Sequence, residues 1–206
     1  MRENKKALIV FQKNPVLGKV KTRLAATVGD AKALEIYMKL LQHTYKVINQ
    51  IEAIDTFIYF SEKVESGLEE MFVDRVKLSV QNGADLGSRM KNAFEEIFQE
   101  GYDQAAIIGT DCPEITEDLI NQAFETLAYS DTVFGPARDG GYYLLGMNQF
   151  IPHLFEKMTW SHDRVLMDSI EKLNLNRNSF TLLEMLSDID NEADWIKYKN
   201  TLSQTI

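Results

Sequence analysis

The sequence predicts an α/β protein: a mostly parallel, mixed sheet covered by helices on both faces, in three α/β/α layers. Two observations carry this. Short apolar runs alternate with longer segments of helical periodicity, the pattern of strands joined by crossover helices. Polar clusters follow those runs at residues 13–23, 83–89, 110–113 and 136–141, where open sheets bind ligands beyond the carboxyl ends of their strands. The 206 residues are 45% hydrophobic and 26% charged, enough for a real core. No linker, repeat or low-complexity tract divides them, so a single domain over 1–206 is expected.

Ala7–Phe11 (ALIVF) is a short apolar run bounded by polar residues and reads as the first buried strand. Over 31–48 the period changes. Leu34, Tyr37 with Met38, Leu41, Tyr45 and Ile48 share a helical face, with Lys32, Glu35, Lys39, Gln42 and Lys46 largely off it. Ile54–Phe60 (IDTFIYF) returns to strand composition, and Val76–Val80 is another short strand. Leu86, Met90, Ala93, Phe94, Ile97 and Phe98 mark a helix with Asp85 as its N-cap. Ala105–Gly109 is a small buried strand ending at Thr110-Asp-Cys-Pro113, followed by a helix over about 115–128. Thr132–Gly135 and Tyr142–Leu145 are strands separated by Pro136–Gly141. A helix over about 163–173, a strand at Phe180–Leu183 and a helix from about 192 complete the chain.

The formal net charge of −9 argues against a nucleic-acid surface, which relies on clustered Lys and Arg. A single cysteine, Cys112, excludes an internal disulfide and suggests a reducing compartment. The first apolar run is far too short to span a membrane or serve as a secretory core. A cytoplasmic location is expected.

Against this acidic background the loop KNPVLGKVKTR (13–23) gathers Lys13, Lys19, Lys21 and Arg23. It is not a P-loop: Lys13 stands where the first glycine would be, and Val20 where the magnesium-binding Ser/Thr would be. What remains is a loop in which Gly18 lets backbone amides approach a ligand, Pro15 limits freedom, and Lys19, Lys21 and Arg23 offset phosphate charge. The plain alternative is a solvated basic turn.

In Gly109-Thr-Asp-Cys-Pro113, an aspartate directly after a buried strand can point into a crevice and hold Mg²⁺ between phosphate oxygens. Equally, Asp111 or Thr110 could cap the next helix. Cys112 has no histidine near it in sequence and reads as a small buried thiol. Asp139-Gly140 is an ordinary hairpin signal, while the Gly-Gly-Tyr-Tyr run at 140–143 also suits a wall against a sugar. In Ser187-Asp-Ile-Asp-Asn191, either Asp188 or Asp190 could reach the crevice as a second metal ligand, and helix capping explains one of them as easily. His43, His153 and His162 lack metal-ligand spacing, and Trp160 is either a pocket wall or core.

Taken together, KNPVLGKVKTRL, QNGADLGSRMKNAF, IIGTDCP, GPARDGGYYLLG and SDIDNEADW resemble, in order and over nearly the whole chain, small bacterial transferases of the GT-A (nucleotide-diphospho-sugar transferase) fold. These include glycosyltransferases linked to arsenosugar biosynthesis. They are similar to the molybdenum-cofactor and 2-phospholactate guanylyltransferases. The resemblance implies a nucleotide-binding stretch over Pro15, Gly18, Lys19, Lys21, Thr22 and Arg23, with Gly83, Asp85 and Arg89 near base or ribose. It implies Lys21, Arg23 and Asp111 as catalytic residues, and Mg²⁺ (or Mn²⁺) on Asp111 with Asp190 or Asp188. Asp139, Gly140, Gly141, Tyr142 and Trp160 would face the acceptor.

One departure bears on the reaction. Sugar-transferring members of the fold usually carry D-x-D after the fourth strand, whereas this chain has Thr110-Asp111-Cys112, a single carboxylate as in nucleotidyltransferases. The expected activity is metal-dependent glycosyl transfer from a nucleotide sugar, with nucleotidyl transfer from a nucleoside triphosphate as the alternative. A non-catalytic nucleotide-sensing protein is the reading from another class. Partners are the nucleotide donor and a small-molecule acceptor, without nucleic acid or membrane span; a homodimer is one assembly left open.

Overall fold

In the computed structural model, residues 4–68, 72 and 75–203 are described. The elements run β1 (Lys6–Gln12), α1 (Thr22–Val28), α2 (Asp30–Gln50), β2 (Asp55–Phe60), β3 (Val76–Val80), α3 (Leu86–Gln99) and β4 (Gln104–Ile108). They continue α4 (Glu117–Thr126), β5 (Thr132–Pro136), β6 (Tyr142–Met147), α5 (Val165–Leu175), β7 (Phe180–Leu182) and α6 (Glu192–Ser203). The strands form one sheet in the order β3-β2-β1-β4-β6-β5-β7. Among the described residues, only β6 runs antiparallel, against β4 and β5. The expected α/β class with a mostly parallel mixed sheet is therefore what the chain adopts.

Strand β1 shows why the sheet is buried on both sides. Side chains alternate across a pleat, so Leu8 and Val10 join one core with α2 and α4, while Ala7 and Ile9 join another with α3 and α5. Phe60 and Phe124 anchor the first core; Phe94 and Phe134 anchor the second. A third, smaller cluster (Leu24, Ala33, Ile36, Leu40, Ile189, Tyr198 and Leu202) binds α1 and α6 onto α2.

The sequence reading anticipates every strand and the five longer helices to within a few residues. It has no counterpart for α1, seven residues packed on α2 and separated from it only by Gly29. Lys21 stands at its N-cap in the left-handed region (φ 48°), and Gly29 turns the chain between the helices at φ 81°. The basic loop thus ends in a helix start rather than in open solvent.

Capping geometry decides two alternatives left open by the sequence. Asp85 caps α3 in a reciprocal capping box with Ser88. Helix α4 is capped by Thr116, whose hydroxyl accepts from Leu119 N, which frees Thr110 and Asp111 from that duty. At α6, Asn191 Oδ1 accepts from Asp194 N while Asp194 Oδ2 accepts from Asn191 N. Neither Asp188 nor Asp190 supplies a capping carboxylate.

Ile189 is fully buried in the third cluster between two crevice-lining aspartates. Ile189→Ala is expected to lower the unfolding free energy by about 2–5 kcal/mol, the usual cost of truncating a buried Ile. Urea unfolding followed by circular dichroism checks this.

Candidate active site

The clusters that follow β1, β3, β4 and β5 meet at the carboxyl edge of the sheet, around a crevice of about 730 Å³. A smaller chamber of about 320 Å³ opens beside it, lined by Lys13, Lys21, Thr22, Arg23, Tyr37, Asp111 and Asp190. Lys13, Arg23, Tyr37, Asp111 and Asp190 border both spaces.

Lys21 is the centre of the chamber. Its side chain is only 5% exposed, and Nζ lies 2.8 Å from Asp111 Oδ1 and 3.7 Å from Asp190 Oδ1. This buried ammonium is held as a close ion pair with Asp111, with Asp190 on its other side. Arg23 is far more exposed and reaches Asp190 Oδ2 with Nη1 at 3.2 Å. The left-handed backbone at Lys21 turns its side chain inward, while Val20 before it and Leu24 after it are buried.

The carboxylates arrive from separate elements. Asp111 follows β4, and its backbone oxygen accepts from Ile189 N at 3.1 Å, fastening the segment after β7 to the end of β4. That segment presents both Asp188 and Asp190 to the crevice while Ile189 is buried. Both carboxylates therefore border the crevice. Burial, reinforced by the neighbouring Asp111 carboxylate, pushes the Asp188 carboxyl up to about 7, against the opposing pull of Lys21. Asp139 lies in the turn between β5 and β6, where its Oδ1 accepts from Gly141 N at 2.9 Å and Gly140 has φ 88°. A Cβ on Gly140 would lie 1.9 Å from the Asp163 backbone oxygen, so this glycine lets the loop before α5 close on the turn.

The rest of the crevice is held by hydrogen bonds from the sheet edge. Tyr37 OH donates to Lys13 O at 2.8 Å and accepts from Lys13 N at 3.0 Å, fixing the exit of β1. Burial raises the Tyr37 phenol well above its ordinary range. Asn14, buried, accepts on Oδ1 from Glu62 N at 2.9 Å and donates through Nδ2 to Lys63 O at 2.8 Å. The basic loop is thereby tied to the loop after β2. Gln81 donates to Tyr59 O at 2.9 Å and accepts from Arg89 Nη1 at 3.3 Å, while Arg89 Nε donates to Gly83 O at 3.0 Å.

Three comparisons bear on this arrangement. Residues 44–162 match the family model described as "Uncharacterized protein conserved in bacteria (DUF2064)". The chain belongs to the DUF2064 family. No curated protein matches it significantly. Among solved structures, one from Desulfovibrio desulfuricans G20, provisionally named a nucleotide-diphospho-sugar transferase, superposes with a TM-score of 0.82 at 27% identity over 98% of both chains. The 4-diphosphocytidyl-2C-methyl-D-erythritol synthase of Anaerococcus prevotii DSM 20548 is similar at TM-score 0.62 and 10% identity, over 97% of this chain and 96% of that one. A CMP:2-keto-3-deoxy-manno-octonic acid synthetase complexed with CTP is similar at TM-score 0.58 and 11% identity, over 98% and 100%. The DUF2064 chain therefore has the nucleotide-diphospho-sugar transferase fold.

The DUF2064 segment contains Arg89, Asp111, Asp139 and Trp160, whereas Lys21, Arg23, Asp188 and Asp190 lie outside it. Of the residues singled out in the sequence, Lys21, Thr22, Arg23, Arg89, Asp111, Asp139, Gly141, Tyr142, Trp160 and Asp190 border the two cavities. Pro15, Gly18, Lys19, Gly83, Asp85 and Gly140 do not. Lys19 instead pairs with Glu62 at 3.4 Å, both side chains being exposed. Asp85 serves α3, and Gly83 approaches Arg89 so closely that a Cβ would lie 2.6 Å from its backbone nitrogen. Sequence reasoning passed over Lys13 as a chamber wall, and Gln12, Tyr37, Ser61, Gln81 and Asp163 as site residues. The position of Lys13, Gln12 and Ser61 at strand ends was the available signal.

A divalent cation was tested against the side chains present. Asp111 and Asp190 already converge on one cation, the Lys21 ammonium. Among the described residues no group of three or more His, Cys, Asp or Glu is arranged to hold a metal ion. Asp111 and Asp190 offer two carboxylate groups, fewer than an all-protein site for a divalent cation uses. His43 Nε2 lies 2.9 Å from Ile115 O and takes part in structure alone.

Cys112 borders the crevice but is buried, and burial together with the Asp188 charge pushes its thiol up to about 12. At pH 8 roughly one molecule in 10⁴ would carry the thiolate. Ellman's reagent is therefore expected to react with Cys112 only slowly in the native protein and rapidly in guanidinium.

Proposed function

We propose that the chain is a nucleotide-dependent transferase whose donor places its phosphates in the chamber of Lys21, Arg23 and Lys13, with the rest of the donor and the acceptor in the larger crevice. The observation that carries this is the buried Lys21 ammonium, which lines a polar chamber together with Lys13 and Arg23. A lysine so placed is offered to an anion. The fold of the similar structures agrees with that use.

The first reading is glycosyl transfer from a nucleotide sugar. The acceptor oxygen forms its bond to the anomeric carbon as the bond from that carbon to the diphosphate oxygen breaks. Nucleoside diphosphate leaves with the electron pair, its charge stabilised by Lys21 and Arg23. Asp111 and Asp190 are the residues that would hold Mg²⁺ or Mn²⁺, which supplies further charge compensation at the diphosphate when bound. Nucleotidyl transfer, with pyrophosphate leaving the α-phosphorus, is the second reading. It is favoured by the single carboxylate of Thr110-Asp111-Cys112 and the three cations of the chamber.

Thermal unfolding with nucleoside triphosphates and nucleotide sugars, each with and without Mg²⁺, separates the two. A true donor at a hundredfold excess over its Kd stabilises by about 2.7 kcal/mol. Lys21→Ala and Asp111→Asn are expected to stay folded and to lose about 10²–10³-fold in turnover, the scale of removing one preorganised charge-stabilising group. Full activity in both variants contradicts the assignment. Tight nucleotide binding without consumption of any donor would make the protein a sensor instead.

A further inference from the structure

Where β1, β2 and β3 end and α3 begins, Gln12, Ser61, Gln81 and Arg89 border the crevice, and their hydrogen-bond acceptors are already engaged. The Gln12 side-chain oxygen accepts from Tyr45 OH at 2.7 Å. Gln12 O accepts from Ser61 N at 2.8 Å and from Gln81 Nε2 at 3.3 Å, which uses both of its lone pairs. Ser61 Oγ accepts from Asn14 N at 3.0 Å and donates to Asn14 Oδ1 at 3.2 Å. No lining carboxylate among the described residues comes from this side. Asp111, Asp139, Asp188 and Asp190 follow β4, β5 and β7, and Asp163 precedes α5.

Gln81 sets the polarity of this end. Its Nε2 lies 2.9 Å from Tyr59 O and 3.3 Å from Gln12 O, both of them acceptors. The amide nitrogen therefore has to face the strands, because the reverse orientation would set its oxygen against two carbonyl oxygens. That turns Oε1 to Arg89, where it accepts from Nη1 at 3.3 Å. Arg89 Nε donates to Gly83 O at 3.0 Å, so the guanidinium is held at two of its three nitrogens. Nη2, with two further N–H groups, has no hydrogen-bond partner among the described residues. The unspent capacity of this end is donor capacity.

Its walls are apolar. Leu86 and Met90 border the crevice from α3, on either side of Arg89 in sequence. Trp160 is seated on the same helix: a Cβ on Gly87 would lie 2.0 Å from its Nε1, and its ring stacks on Phe155 at 6.2 Å with 21° between planes. The indole, which the resemblance would give to the acceptor, thus stands against the helix that carries Arg89. A flat ring between apolar surfaces, met at its edge by N–H donors, suits a nucleobase with an oxo group on that edge. An amino group presented there would meet donors alone and lose its hydrogen bonds to water without replacement.

We propose that Gln81 is a positioning residue that holds Arg89 as a donor-only face, and that the donor nucleotide therefore carries an oxo base (guanine, uracil or thymine) rather than an amino base (adenine or cytosine). This rests on the donor reading above, because it takes the nucleoside to run from the Lys21 chamber towards α3.

The test is calorimetric titration of the full chain with nucleoside diphosphates and Mg²⁺, paired so that the members of each pair differ at the oxo or amino position. The pairs are inosine diphosphate against adenosine diphosphate and uridine diphosphate against cytidine diphosphate, with guanosine and thymidine diphosphates alongside. At least one oxo member is expected to bind about tenfold or more tightly than its amino partner, the scale of one good pairing to a base edge. Gln81→Met and Arg89→Met are each expected to bring that ratio below about threefold. A change that only weakens the fold or the phosphate contacts lowers both members of a pair together and leaves the ratio as it was. Equal affinities within both pairs, or a preference for the amino members, overturns the base class while the donor reading stands. A ratio unchanged in either variant overturns the role given to that residue. No binding of any nucleoside diphosphate or of inorganic pyrophosphate overturns the donor reading and the base class with it.

Discussion

The site depends on one arrangement of charge: the Lys21 ammonium, buried between carboxylates that come from distant parts of the chain. Lys21 belongs to the start of α1, Asp111 to the end of β4, and Asp190 to the segment after β7. An unpaired ammonium in such surroundings is costly, so Lys21 keeps to the two half-exposed carboxylates. The backbone bond from Ile189 N to Asp111 O and the burial of Ile189 in the third cluster reinforce the same junction. The chamber is built around it.

The same junction makes the site responsive. Lys21 pairs closely with one carboxylate, Asp111, and an ammonium carries three protons, so an incoming phosphate can share it. Around it the scaffold is stiff. Tyr37 clamps both polar groups of the Lys13 backbone, and Asn14 staples the basic loop to the loop after β2. Rigid walls around one buried cation are a way to bind an anion without first reorganising the protein.

The sheet and its long helices were legible in the sequence because they are dictated by periodicity: β1, α2 and α3 each bury one clear pattern. Asp85 was legible as a cap because capping chemistry is local. Helix α1 was not, since it is short, is stabilised by packing Leu24 against α2 and α6, and begins at a left-handed lysine that no propensity favours. The basic loop was legible as a site, but the division of labour within it was not. Lys19 and Lys21 are two residues apart, yet one faces solvent and Glu62 while the other is buried. That difference arises from the turn at Lys21 and from carboxylates far away in sequence. Asp188 and Asp190 had the alternation of an extended segment, but only the cap at Asn191 and the burial of Ile189 show that both carboxylates are free to face the crevice.

The most direct measurement of the central claim is a crystal structure of the chain with a nucleoside diphosphate and Mg²⁺. The account predicts phosphate oxygens within hydrogen-bonding distance of Lys21 Nζ and beside Arg23, with the nucleoside running towards the Arg89 end of the crevice. Phosphates bound elsewhere, with the Lys21 ammonium still enclosed by Asp111 and Asp190, would contradict it.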